Sequence, residues 1–192
     1  MKRAIRTSLA LGLLSFWVAV SAGEAKEISG LKFPDEMQVE GKAVVLNGAG
    51  FREGGVNRTK AYAVGLYLES KSKNHLKILR SKEIKHLVLK FVANVSRESL
   101  VEVWSVGFKQ HGGEQIGGQN DRLKTLNSYM ISLNQGDAAE FTHVAGKGLS
   151  VMVKGDPKGV IEGDDFARVF FSIWLDSPPL EFKLRNNLLG RE

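Results

Sequence analysis

Cysteine is absent from the 192 residues. That excludes disulfides, thiolate nucleophiles, iron–sulfur clusters and cysteine-based zinc sites. Proline is scarce, at four, and the 21 glycines follow no fixed period, so collagen-like and low-complexity chains are excluded as well. Long apolar runs are also lacking. The longest, Thr7 to Val20, is about 14 residues, short of the roughly 20 needed to span a bilayer, so no stable membrane anchor is expected. What remains is ordinary for one globular domain: 43% hydrophobic and 25% charged residues, in a chain long enough to bury a real core.

The formal net charge of +6 invites a nucleic-acid partner until its location is considered. Lys2, Arg3 and Arg6 supply three of the cations before any acid appears. They precede the apolar stretch with Leu9, Leu11, Leu13, Leu14, Phe16, Trp17 and Val18, and small residues follow (Ser21, Ala22, Gly23, Ala25). Basic start, apolar middle and small-residue end are the three parts of a secretory signal. Residues 1–25 are therefore read as a signal peptide, cut after Ala22 or Ala25, and residues 26–192 as a single exported domain, periplasmic or secreted. Without the signal the charge is +3, or +4 if Glu24 is also removed. Cations are locally enriched only from Lys71 through Lys73, Lys77, Arg80 and Lys82 to Lys85. No aromatics interleave with them, so the run reads as the solvated face of a helix and its neighbouring strand, and no nucleic-acid partner is expected.

Along the mature chain, Lys42–Asn47 predicts a strand entering the glycine-rich segment Gly48–Gly55, and Thr59–Leu68 predicts the returning strand of an antiparallel hairpin. Asn74–Leu79 suggests a short helical turn. Ile84–Val92 alternates as a half-buried strand, with Ile84, Leu87, Leu89 and Phe91 apolar and Lys85 and Lys90 polar. Ser96 is a candidate N-cap for a helix bearing Leu100, Val103, Trp104, Gly107 and Phe108. After a glycine-rich turn at 111–118, a second helix carries Leu123, Leu126, Met130 and Leu133 on one face. Ala139–Ala145 and Gly148–Lys154 predict a second hairpin, followed by a short strand at Gly159–Glu162. Asp164 is expected to cap a last helix that turns Phe166, Val169, Phe170, Ile173 and Trp174 inward. Pro178 and Pro179 end it, and a short basic amphipathic tail closes the chain. The pattern predicts an α+β fold, an antiparallel sheet with helices on one face.

Few residues offer chemistry. The glycine segment is spaced Gly48-x-Gly50-x-x-x-Gly54 and is followed by a strand, whereas a dinucleotide fingerprint needs G-x-G-x-x-G and a helix N-terminus. It reads as a hairpin loop in which glycines supply positive φ. His75, His86, His111 and His143 lie in different elements, with no metal-ligand spacing, and read as solvated or strand-surface side chains. No cofactor is expected. Asp164 and Asp165, adjacent at a helix start, face apart and serve the helix dipole. Arg52 stands out among the glycines beside Phe51, with a strand bearing Tyr62 returning next to it. A guanidinium fork suits a carboxylate or phenolate oxygen, and a tyrosine hydroxyl can add a hydrogen bond. The alternative at this point is a solvated arginine, or one that pairs with an acid such as Glu53.

The run Leu46-Asn-Gly-Ala-Gly-Phe-Arg-Glu-Gly54 followed by Lys60-Ala-Tyr-Ala-Val-Gly-Leu-Tyr-Leu68 resembles the opening hairpin of the chalcone isomerase-like family. Gly146-Lys-Gly148, Ile161-Glu-Gly-Asp-Asp-Phe166, Ser172-Ile-Trp-Leu175, Pro178-Pro179 and Leu188-Leu-Gly190 resemble its exported bacterial branch. The resemblance covers residues 30 to 190 and implies an open-faced β-sandwich, a large antiparallel sheet with a helical layer and a ligand cleft between them. Arg52 stands where the plant enzymes of this fold hold the reacting phenolate. Tyr62 replaces their threonine, and an alignment on Trp104 puts Val92 and Ser99 at the places of their catalytic tyrosine and substrate-contacting asparagine. Catalysis of that reaction depends on positioned polar groups, so the resemblance leaves isomerase activity, with Arg52 and Tyr62 as the catalytic pair, as the second expectation. The fatty-acid-binding branch, in which the hairpin arginine and a strand tyrosine hold a carboxylate, is the better match. The leading expectation is a binding protein for a small amphipathic or aromatic ligand, with Arg52, Tyr62, Ser99, Val92 and Trp104 around it. A structural or interaction module is the third. The sequence does not set the oligomeric state.

Overall fold

The computed structural model describes residues 25–54, 59–112, 116–177 and 181–191. The signal read over residues 1–25 lies outside these except for Ala25, as do Pro178, Pro179 and part of the glycine turn after His111. In chain order the elements are β1 (Ala25–Ile28), β2 (Leu31–Pro34), β3 (Glu36–Val39), β4 (Lys42–Gly54), β5 (Thr59–Leu68), α1 (His75–Arg80), β6 (Lys85–Phe91), α2 (Arg97–His111), α3 (Ile116–Tyr129), β7 (Ala138–Val144), β8 (Gly148–Val153), β9 (Asp156–Ile161), α4 (Asp164–Leu175) and α5 (Phe182–Leu188).

Strands β3 to β9 form one seven-stranded sheet in sequence order, and every pairing is antiparallel. Between strands the chain leaves the sheet for α1, between β5 and β6, and at greater length between β6 and β7, where it lays α2 and α3 over it. Side chains alternate across a strand. One face therefore presents Val64, Leu66, Leu87, Leu89, Phe91, Phe141 and Val151 to the helices, where they meet Trp104, Phe108, Phe166, Phe170 and Trp174 in the main core. Among the described residues the opposite face is covered mainly over β3–β6, where Phe33 of β2 packs with Val44, Leu46, Ala63, Tyr67 and Val88. Met152 and Val160, on β8 and β9, stay exposed. The fold is the expected α+β arrangement of an antiparallel sheet with helices on one face.

Several local expectations change. The glycine segment Gly48–Gly54 is not a loop: β4 runs through it for 13 residues in all. Neither Gly48 nor Gly50 has positive φ. They leave room instead. A Cβ at Gly48 would sit 2.0 Å from the Asn187 carbonyl oxygen, and one at Gly50 would sit 2.9 Å from Asn187 Cβ, so the two glycines form the bed on which α5 lies. The amphipathic tail is thus a helix, with Leu184 and Leu188 buried. Asp164 does not cap α4. Gly163 holds the N-cap position, and the Asp164 carboxylate accepts from His143 Nε2 (3.0 Å) and from the Gly146 backbone N–H (2.9 Å). His86 and His143, expected at the surface, are buried. Lys85, expected on the solvated face, is buried too, because it shares the helix-facing side with Leu87 while Ile84 points the other way.

Candidate functional site

The position of Arg52 is set five residues upstream. Leu46 pairs with Tyr67 but Gly48 pairs with Leu66, so Asn47 is an extra residue in β4, a β-bulge. The amide of Asn47 holds the bulge: its Nδ2 donates to the carbonyls of Leu188 (2.7 Å) and Ser72 (3.0 Å), and its Oδ1 accepts from the Ser72 N–H (2.7 Å). A one-residue slip exchanges the faces of a strand. Before the bulge, Val44 and Leu46 face the β2 side; after it, Gly48, Gly50 and Arg52 oppose Leu66, Val64 and Tyr62 on the helix side. The period-2 series Gly48, Gly50, Arg52 then does two things. The glycines admit α5, and the arginine reaches its first turn.

There Arg52 Nη1 lies 3.5 Å from Glu181 Oε2 and donates to the Glu53 carbonyl. The same Glu181 oxygen accepts from the Glu53 backbone N–H at 3.1 Å. Opposite Arg52, Tyr62 is 3% exposed, with its ring 5.2 Å from that of Phe91. Its hydroxyl lies beneath the surface against the Trp174 indole, without a well-formed hydrogen bond among the described residues, and Glu181 Oε1 likewise has none. Burial pushes the Tyr62 hydroxyl up to about 12, against the opposing pull of the Arg52 charge and the nearby Trp174 indole. The phenol therefore stays neutral at physiological pH. It can donate or accept a hydrogen bond but does not serve as a base.

Arg52 and Tyr62 form one wall of a cavity of about 520 Å³, which Ser99, Leu100 and Val103 of α2 and the segment Ala93–Ser96 close from the other side. That volume suits a small organic molecule. Of the five residues named from the sequence, Arg52, Tyr62 and Ser99 line this cavity, while Val92 and Trp104 do not. Val92 follows the end of β6, its N–H bound to the Ala61 carbonyl (3.0 Å). Trp104 is 1% exposed and packs between Phe141, Phe170 and Trp174, at centroid distances of 5.9, 5.6 and 5.5 Å. Ser99 is tied into the helix start: Ser96 Oγ accepts from its N–H at 3.1 Å, and the two hydroxyls also lie 3.1 Å apart. A second cavity of about 370 Å³ lies beside β1, β4 and α5 and is lined by none of the five.

Glu181 and Trp174 were not legible as partners of this site. They lie more than 100 residues from Arg52 in sequence, and only the passage of α4 and α5 across the sheet brings them to it. The one local signal was the spacing of Gly48, Gly50 and Arg52, which fits a strand face as well as it fits a loop.

A family model described as chalcone isomerase-like matches residues 25–190. No curated protein matches the sequence. Among solved structures, a fatty-acid binding protein of Arabidopsis thaliana is similar over 86% of this chain and 96% of its own, with 17% identity and a TM-score of 0.71.

Proposed function

The chain belongs to the chalcone isomerase-like family, and on that premise we propose that it is an exported binding protein for a small amphipathic ligand, fatty-acid-like or phenolic. The polar head of the ligand is held by Arg52 and Tyr62, and its apolar body lies in the cavity between the sheet and α2. The observation that carries this reading is the placement of Arg52 and Tyr62 directly opposite each other across the β4–β5 pair, both in the wall of a 520 Å³ cavity. The Arg52 guanidinium can give an oxygen of the ligand head a charge-assisted hydrogen bond, worth about 1.5–3 kcal/mol. Each methylene buried in the cavity would add about 0.8 kcal/mol. The fatty-acid-binding character of the Arabidopsis protein of like fold agrees with this use of the cleft.

The experiment is native mass spectrometry of the purified protein, followed by titration with the extracted ligand. A bound small molecule should be released, and Arg52→Ala should weaken it roughly tenfold or more, the worth of a charge-assisted hydrogen bond. A cavity found empty after purification, with titrated amphiphiles indifferent to Arg52→Ala, would overturn the reading. The intramolecular-lyase reading is less well supported. Val92 offers no polar group, and the Ser99 hydroxyl is engaged by Ser96.

A further inference from the structure

Arg52 does not meet the cavity as a free cation. Glu181 already stands against it, 3.5 Å from Nη1, with both side chains largely withdrawn from solvent (22% and 13% exposed). The carboxylate is fixed in place by a second bond, from the Glu53 backbone N–H at 3.1 Å, and by its position directly before α5, which the two glycines of β4 hold against the sheet. The pair is therefore built into the fold and is not a passing surface contact. Its effect on a ligand is electrostatic. A carboxylate head placed at Arg52 would share one guanidinium with Glu181, leaving two like charges a few ångströms apart in a poorly hydrated site, where repulsion is strong. An uncharged oxygen meets no such repulsion. The guanidinium still has N–H groups to donate, and the neutral Tyr62 phenol across the strand pair adds no opposing charge. The other cation in the cavity wall, Lys60, is turned away, with its Nζ 4.2 Å above the Phe51 ring and 3.5 Å from Ser29 Oγ.

We infer that Glu181 is a specificity-determining residue that neutralises the arginine anchor, so that the site selects an amphiphile with an uncharged hydroxyl or carbonyl head over one with a carboxylate. This inference rests on the binding reading above and sharpens its ligand class.

The test compares decanoate with decan-1-ol, equal in chain length, by titration calorimetry on the full chain and on Glu181→Gln and Arg52→Ala. Glutamine keeps the shape of Glu181 and can still accept from the Glu53 N–H, so the fold is preserved; unchanged thermal unfolding checks this. The expected result is that decan-1-ol binds the wild type more tightly. Glu181→Gln should then tighten decanoate roughly tenfold or more and change decan-1-ol less than threefold, the tenfold gain being one unit on the logarithmic affinity scale. Arg52→Ala should abolish that gain when combined with Glu181→Gln. If decanoate binds and its affinity is unchanged or weakened by Glu181→Gln, the inference is overturned while the binding reading stands. If neither amphiphile binds any of the proteins, the binding reading falls and this one with it.

Discussion

Lys85 shows how far a single side chain can depart from its expected place. It lies on the helix-facing side of β6, 2% exposed, and its Nζ donates to the carbonyls of Ser81 (2.7 Å) and Glu83 (3.1 Å) and to His143 Nδ1 (3.3 Å). His143 in turn donates from Nε2 to Asp164. Burial lowers the lysine from 10.5 to about 8, against the opposing pull of Glu83, Asp164 and Glu69, and burial is also the main reason His143 is lowered. Because the folded lysine releases its proton near pH 8 and the unfolded one near 10.5, the unfolded state binds more protons between those values. Stability from this group should therefore rise with pH through the window 8 to 10.5, by up to about 3 kcal/mol. Urea denaturation of the wild type at pH 7.5, 9 and 10 should show that slope. Lys85→Met should flatten it, and an equal slope in the variant would refute the assignment. Arg52 has the contrary design, a charge kept and compensated by Glu181 rather than discouraged by burial. Its removal should act on ligand affinity more than on the fold.

Among the elements, β4 and α5 are the pair on which the site depends. The bulge at Asn47 decides which way Arg52 points, and the glycines after it decide how closely α5 can lie. At Gly48 even a methyl group meets backbone: the Asn187 carbonyl oxygen at 2.0 Å and the Leu188 carbonyl oxygen at 2.8 Å. No side-chain rotation relieves that contact, so α5 would have to move. Gly48→Ala should cost at least the 1–3 kcal/mol typical of overpacking and should expose α5 to proteolysis. Through the displacement of Glu181 it should also change the ligand preference at Arg52. Thermal denaturation with limited proteolysis measures this. A variant as stable and protease-resistant as the wild type would show that α5 is not seated by these glycines. The sequence offered the glycines plainly. It did not offer their role, because positive φ and close approach both call for glycine, and the choice between them depends on a partner more than 130 residues downstream.

For the molecule as a whole, the two faces of the sheet do different work. The helix-facing side holds the aromatic core of Trp104, Phe108, Phe141, Phe166, Phe170 and Trp174, and the proposed site opens at the end of that core where α2 begins. The other side, among the described residues, is covered mainly near β2. The same strands therefore supply both the floor of the core and a wall of the cavity. The proposed export is likewise tested on the whole chain. Expressed in a bacterium with a periplasm, the protein should be recovered from the periplasmic fraction with its N-terminus at Gly23 or Lys26, as read by Edman sequencing or intact mass. An uncleaved chain retained in the cytoplasm would refute the signal reading of residues 1–25.

The sequence by itself determined the fold class and the family. Alternating apolar residues in β5 to β8, the Ser96 cap and the aromatic spacing of α4 are local patterns, and local sterics and hydrophobic periodicity are enough to set them. It also marked Arg52 and Tyr62 as a pair, since a hairpin places them opposite each other. Only the tertiary structure decided what that pair faces. The bulge at Asn47 turned Arg52 toward the helices, α5 brought Glu181 against it, α4 brought Trp174 beside Tyr62, and burial drew Lys85 and His143 inward. Each of these depends on contacts between distant parts of the chain, and on the desolvation and Coulomb forces that exist only once the helices have closed over the sheet.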